Sequence, residues 1–282
     1  QFTLDNHRPV RAFDVLGLSF STELGYTNML AAIDLAGIPL HAADRGIDDP
    51  LVIAGGHVAF NPEPIADFID AAVIGDGEEA SLRVSEIIRA WKAEGRPDGR
   101  DGLLLRLASD GVVYVPRFYD VTYLPDGRIQ RVAPNRPGVP FSVAKHTLMD
   151  LDAWPYPKAP IVPIAETVHE RYSVEIFRGC TRGCRFCQAG MITRPVRERS
   201  INTIGDMVEN GIRKSGFEEV GLLSLSSADH TEIGDLASGL ADRYEGSNVS
   251  LSLPSTRVDA FNITLANEFS RNGRRSGLTF AP

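Results

Sequence analysis

Cysteine is missing from residues 1–179 and 188–282, and the chain's three cysteines, Cys180, Cys184 and Cys187, fall within eight positions. An odd number crowded into one segment makes a poor disulfide framework, so a reducing, cytoplasmic setting is expected. No apolar run approaches the roughly 18 residues that span a bilayer, and no basic-then-apolar leader opens the chain, which argues against a membrane. Positive charge is in deficit: 29 Lys and Arg stand against 37 Asp and Glu, a net charge of −8. That balance excludes a broad nucleic-acid-coating surface and leaves room only for a local basic patch. An initiator Met is also lacking. The chain opens at Gln1 and stops in "GLTFAP", which reads as a strand leaving its sheet, so an internal piece of a longer protein is expected. What is present, 282 residues with 43% hydrophobic and 23% charged, suits a soluble globular chain of two domains.

Strands and helices alternate in the first stretch. "FDVLGLSF" reads as a strand, about 22–36 as a helix closed by Gly37, "LVIA" as a strand ending in Gly55-Gly56, "AAVI" as another, and about 78–94 as a helix closed by Gly95. Short buried strands separated by helices indicate a parallel sheet, so residues 1–95 are expected to form a Rossmann-like domain. Residues 96–165 read as a connector. Asp110-Gly111 and Asp126-Gly127 between β-rich runs predict hairpins, and the proline-dense "WPYPKAPIVP" predicts a stiff linker. From 166 to 282 the alternation returns. "YSVEIF" leads into the cysteines, "VGLLSLSS", "VSLSLPS" and "SGLTF" read as strands, and helices are expected at about 203–215, 231–244 and 259–271, the first capped by Thr203 and Asp206. Those are four β/α units of a barrel-like sheet, whose functional groups should sit at the strand ends.

The cysteine spacing is C-x3-C-x2-C. Structural zinc wants four protein ligands, and only His169 or His230 could approach to complete the set. A disulfide with a spare thiol, or three buried thiols, are the plainer alternatives. An electron-transfer [4Fe–4S] cluster wants four thiolates. Three leave one iron open, as a chelating small molecule requires.

A strand followed by C-x3-C-x-aromatic-C, with Phe186 as the aromatic, resembles the signature of radical S-adenosylmethionine (SAM) enzymes. The resemblance implies that Cys180, Cys184 and Cys187 hold a [4Fe–4S] cluster over the mouth of a partial (β/α)6 barrel, with the amino and carboxylate groups of SAM on the open iron. It implies reductive cleavage of SAM to methionine and a 5′-deoxyadenosyl radical, with a flavodoxin or ferredoxin as reductant. Where the superfamily often carries Gly-Gly-Glu, this chain has "SLSSADH", so Ser226, Ser227 and Asp229 would serve SAM, or cap a turn. "LPSTR" offers Ser255 and Arg257, the latter to pair with the SAM carboxylate or to form a surface ion pair. Seven arginines (171, 178, 182, 185, 194, 197, 199) face Glu175 and Glu198 between residues 171 and 199. They either balance an anionic cluster or, through "RPVRER", meet a phosphate-bearing substrate such as RNA.

Two motifs compete in the first domain. Gly75-x-Gly77-x-x-Ala80 matches a dinucleotide fingerprint in letters, but Asp76, Glu78 and Glu79 would repel a pyrophosphate there. Instead, "LGLSFS", "VIAGGHVAFNPEP" and "AVIGDGE", in that order, resemble the cobalamin-binding domains that precede many radical SAM domains. The resemblance points to Ser19, Ser21, Gly55 and Gly56 as cobalamin contacts. The element that supplies an axial His is missing; Asp5-x-His7-x-x-Val10 echoes it but ends in Val. Cobalamin would bind without a protein His on cobalt, or the domain is an inherited scaffold or docking module.

Together these features resemble a bacterial family of cobalamin-domain radical SAM proteins. The expected function is radical-initiated modification of an unidentified substrate, with cobalamin-dependent methylation as one form. The competing expectation is a non-catalytic Fe–S sensor. With four of six barrel strands, the piece as given is expected to turn over weakly or not at all.

Overall fold

The structure, a computed structural model, describes residues 1–165, 167–260, 263–271 and 280–281. The chain forms two compact units, Gln1–Leu148 and Met149–Pro282.

In the first unit a three-stranded parallel sheet is built from β1 (Val15–Phe20), β2 (Leu51–Gly56) and β3 (Ala71–Ala72), in that order, with Val15 opposite Leu51 and Ile53 opposite Ala71. β2 is central, and Leu51, Val52, Ile53 and Ala54 are all buried because both faces are covered. On one face α1 (Tyr26–Leu35) packs Met29 and Ile33 against Leu16, Leu18, Val52 and Ala54. On the other, α2 (Glu78–Ala93) and α3 (Gly99–Asp110) bring Val84, Ile88, Trp91, Leu104 and Leu107 against Leu51, Ile53 and Val15. A ribbon of β4 (Tyr119–Tyr123) and β5 (Ile129–Pro134) follows, antiparallel.

The Asp126-Gly127 hairpin is present in that ribbon, but the hairpin expected at Asp110-Gly111 is a helix end. Leu103, Leu104, Leu107 and Ala108 line one helical face in the core, and Gly111, with φ of 82°, closes α3. Asp-Gly serves a left-handed helix cap as well as a tight β-turn, and apolar periodicity decides between them. The expected connector at 96–165 is therefore divided, its first part packing in the first unit and residues from Met149 belonging to the second.

At the bottom of this unit Asp70, 1% exposed, takes hydrogen bonds from Arg45 Nη1 (2.7 Å), Arg100 Nη2 (2.9 Å) and the Val52 amide (2.8 Å). The two guanidiniums carry one more charge than the carboxylate balances. The remainder is spread over carbonyls: Arg45 donates to Pro39, Leu40 and Phe68, and Arg100 to Gly46, Asp49 and Pro50.

The second unit carries β6 (Tyr172–Glu175), a short hairpin of β7 (Phe177–Arg178) and β8 (Arg197–Glu198), and α4 (Ala189–Ile192) between the hairpin strands. Then come α5 (Ile201–Ser215), β9 (Glu219–Leu223), α6 (Ile233–Arg243), β10 (Ser250–Ser252), β11 (Thr256–Arg257), α7 (Ile263–Ser270) and β12 (Phe280–Ala281). The parallel order is β10–β9–β6, and β11 pairs with β12 in parallel. Val174, Val220, Leu222 and Leu251 meet Ile204, Val208, Leu236, Leu240 and Phe269 from the helices in one core. Ser200, not Thr203 with Asp206, caps α5: its hydroxyl accepts from the Thr203 amide at 3.2 Å. Of the fourth expected strand, residues 276–279 lie outside the described residues, as do 261–262 of the last helix. Among the described residues no helix is long and apolar enough to cross a membrane.

Removing the carboxylate at the centre of the buried triad leaves two guanidiniums uncompensated. Asp70→Ala is expected to lower unfolding stability by about 3–5 kcal/mol, the usual cost of breaking a buried pair from one side. A urea titration followed by circular dichroism checks this, and a midpoint equal to that of the parent chain would refute it.

Candidate functional site

All three cysteines lie in the loop between β7 and β8, whose strands pair Phe177 with Glu198 and Arg178 with Arg197. The loop is pinched shut at Gly179, which has φ of 93°. A Cβ there would stand 2.5 Å from the Pro195 carbonyl oxygen and 2.9 Å from that of Thr193. Both the left-handed backbone and the absence of a side chain are therefore required. Arginines brace the neck. Arg197 donates through Nε to Pro195 O (3.0 Å) and through Nη2 to Thr193 O (2.9 Å), while Arg194 Nε donates to Cys180 O (3.1 Å). Arg197 and Arg199 are buried.

The thiols are free and half-buried. Each sulfur receives one N–H: Cys180 from the Arg182 amide (3.5 Å), Cys187 from the Gly190 amide (3.3 Å) and Cys184 from Arg257 Nη1 (3.8 Å). Soft sulfur ligands with N–H···S contacts suit an iron–sulfur cluster. Among the described residues no group of three or more His, Cys, Asp or Glu side chains is already closed around a single metal ion. His230 does not offer zinc a fourth ligand. It is buried, its Nδ1 accepts from the Glu232 amide (3.1 Å) and its Nε2 donates to Arg199 O (3.1 Å), so both ring nitrogens are used. His169 is exposed.

The turn after β9 meets the cysteine loop through an ion pair that the sequence reading missed. Arg182 forks onto Asp229, Nε to Oδ2 at 2.8 Å and Nη2 to Oδ1. Ser226 Oγ adds a bond to Oδ2 at 2.7 Å. Arg182 first, then Ser226, holds the Asp229 carboxyl below the ordinary aspartate range. Ser226 is thus engaged in orienting Asp229. Ser227 is fully buried, its Oγ donating to Leu222 O (2.8 Å) and its amide to Ser255 O (2.7 Å). Through these two bonds Ser227 locks the turn, its hydroxyl pointing back into the strand that precedes it. Arg257 is forked onto Asp259, Nε–Oδ1 2.9 Å and Nη2–Oδ2 2.7 Å, which leaves Nη1 for Cys184. Ser255 is half-buried, and Phe186 stands out from the loop at 88% exposure.

The arginine cluster is largely consumed internally. Arg171 pairs with Glu219, Arg178 with Glu175, and Arg199 with Glu175 and the Leu151 carbonyl. "RPVRER" therefore does not present a phosphate-binding row: Arg197 and Arg199 are inside, and Arg194 is turned onto the loop. Arg185 is exposed.

In the first unit the end of β3 is covered by its own chain. Gly75 bridges to His146, the Asp76 amide donates to His146 O (3.0 Å) and Asp76 Oδ2 accepts from the Leu148 amide (2.8 Å). The chain's own backbone thus occupies the space beside Gly75 and Asp76. The ends of β1 and β2 are different. Ser19 and Ser21 are exposed, Ser19 lies opposite Gly55, and a Cβ on Gly17 or Gly55 would have nothing within 4 Å. These small residues form an open shelf. Gly56 is glycine for an internal reason: its φ is 85° and a Cβ would collide with the Phe20 carbonyl. Asp5 and His7 lie in an exposed turn ahead of β1.

Gly179→Ala is expected to at least halve the iron retained after anaerobic reconstitution, because the neck cannot close around a methyl group. Gly239→Ala, in open space on α6, should leave it unchanged. Iron per chain measures this; equal loading in the Gly179 variant would show that the neck does not shape the loop.

Residues 1–116 match the family described as radical SAM proteins, N-terminal, and residues 174–279 match the radical SAM superfamily. An uncharacterized protein of Methanocaldococcus jannaschii is 26% identical over 285 residues, covering 100% of this chain and 52% of that protein. Two solved structures of the radical SAM methyltransferase TsrM from Kitasatospora setae are similar in fold. One, with cobalamin and a [4Fe–4S] cluster bound, has a TM-score of 0.57 at 12% identity over 96% of this chain and 50% of that one. The other, with tryptophan substrate and the SAM analogue aza-SAM, gives 0.55 at 13% identity over 96% and 48%. The chain thus spans about half the length of the relatives it matches.

Proposed function

The chain belongs to the radical SAM superfamily, and from that premise we propose that Cys180, Cys184 and Cys187 hold a [4Fe–4S] cluster for reductive cleavage of SAM. The observation that carries the reading is the loop itself: three thiols at C-x3-C-x2-C directly after a strand, each sulfur with one N–H donor. Held by Cys180, Cys184 and Cys187, such a cluster would supply the one-electron reduction that cleaves the SAM sulfonium and starts radical chemistry on a substrate.

The protein's own residues prepare that chemistry. Gly179 and Arg197 fix the neck, and Arg194 holds the Cys180 carbonyl, so the loop's backbone is set before any cofactor arrives. The Arg182–Asp229 fork ties the cysteine loop to the turn after β9. Phe186, out at the tip, is free to cover an adenine face. The reductant is a small electron carrier such as flavodoxin or ferredoxin.

A second reading concerns the first unit. The open shelf of Gly17, Ser19, Ser21 and Gly55 fits a flat, bulky cofactor laid against the strand ends, and the fold is similar to that of a protein solved with cobalamin. Cobalamin bound there, without a protein His on cobalt, would turn the enzyme toward methyl transfer.

Anaerobic reconstitution should load about four irons per chain, and Cys180→Ala, Cys184→Ala or Cys187→Ala should each abolish loading. Dithionite and SAM should then yield 5′-deoxyadenosine. A cluster whose spectrum ignores SAM would mark a sensor, and one zinc per chain without iron would end the catalytic reading. For the shelf, Gly55→Val, which keeps strand geometry but fills the space, should weaken cobalamin binding at least tenfold in a spectral titration. Equal binding would exclude the shelf as its site.

A further inference from the structure

We propose that Arg257 is a positioning residue that holds an N–H on the sulfur of Cys184 and thereby sets the one-electron potential of the cluster. The proposal rests on the cluster reading above. Three observations carry it.

The first is the geometry of the fork. Asp259 takes the Nε and Nη2 edge of the guanidinium, at 2.9 and 2.7 Å. A guanidinium is planar and rigid, so fixing one edge fixes the remaining corner. That corner, Nη1, is the one 3.8 Å from Cys184 Sγ. The second is an asymmetry among the sulfurs. Cys180 and Cys187 take their N–H from the backbone of their own loop, at Arg182 and Gly190. Cys184 takes its own from a side chain on β11, and that donor alone among the three can be changed without rebuilding the loop. The third is the direction of the charge. Arg257 is a cation whose side chain is 25% exposed, so solvent screens its field at the neighbouring sulfur only in part.

One-electron reduction adds a negative charge to an assembly that already carries thiolates. An external one-electron reductant supplies the electron; no bond forms or breaks and no proton moves. A hydrogen bond and positive charge at a ligand sulfur stabilise the reduced form more than the oxidised one, which raises the potential. Arg257 is therefore assigned to the cluster, and its pairing with the SAM carboxylate is not needed to explain its place.

The test is an EPR-monitored dithionite titration of the reconstituted chain, with iron content measured alongside. Arg257→Gln should shift the oxidation equilibrium at least tenfold, moving the midpoint negative by about 59 mV for one electron, with iron unchanged. Asp259→Asn separates positioning from bare charge. It removes an anion, which by charge alone would raise the midpoint, but it also releases the fork that aims Nη1. The proposal expects a negative move. An unchanged midpoint in iron-loaded Arg257→Gln, or a positive move in Asp259→Asn, overturns it and leaves the cluster reading standing. A parent chain that takes up no iron overturns both.

Discussion

Arginine donating to backbone carbonyls is the interaction on which both units depend. Where a segment leaves regular secondary structure its carbonyls lose their ladder partners, and a buried carbonyl without a donor costs free energy comparable to a lost hydrogen bond. The cysteine loop faces that difficulty most acutely. Eighteen residues, 179–196, leave and return through a two-residue hairpin, and the loop contains only one turn of helix. Arg197 and Arg194 supply the missing donors at the neck, and Gly179 allows the two sides of it to touch. The thiols are presented on a frame that other side chains have already fixed.

The same device appears, with a different geometry, in the first unit. Arg45 and Arg100 each reach three carbonyls of the irregular stretches around β2 and share Asp70. Two buried cations on one anion would be untenable if the carboxylate alone had to balance them. Six carbonyl dipoles spread the excess charge, and the Val52 amide satisfies the carboxylate further. This explains how an acidic chain can hold a dense arginine cluster without displaying a basic surface. Four arginines, Arg45, Arg100, Arg197 and Arg199, are turned inward, so net charge and arginine density report on different things here.

The C-x3-C-x2-C loop was legible because its signal is local: spacing, a preceding strand and cysteine nowhere else. The parallel sheet of the first unit was legible for the same reason, as "LVIA" is apolar on every position and both of its faces are covered. Two of the contacts that escaped needed partners distant in sequence. Arg182 finds Asp229 and Arg257 finds Cys184 across 47 and 73 positions. Ser226 and Ser227 looked like donors awaiting a ligand, because nothing in "SLSSADH" says that one hydroxyl turns to Asp229 and the other back to Leu222. Asp110-Gly111 failed differently. The dipeptide was read as a turn while Leu103, Leu104, Leu107 and Ala108, four residues on a helical face, outweighed it.

The placement of the acidic residues near the cysteines completes the argument. Asp229 and Asp259 are anions beside a site expected to carry negative charge, which electrostatics alone would disfavour. Each is forked by an arginine of that same region, Arg182 or Arg257. In each pair the carboxylate occupies the Nε and Nη2 edge of the guanidinium. An aspartate used this way does not oppose a cluster proposed at the sulfurs; it immobilises a cation whose position would otherwise be lost to rotamer freedom. The acidic side chains are thus part of the positive wall around the sulfurs, and removing one changes where a charge stands as much as how many there are.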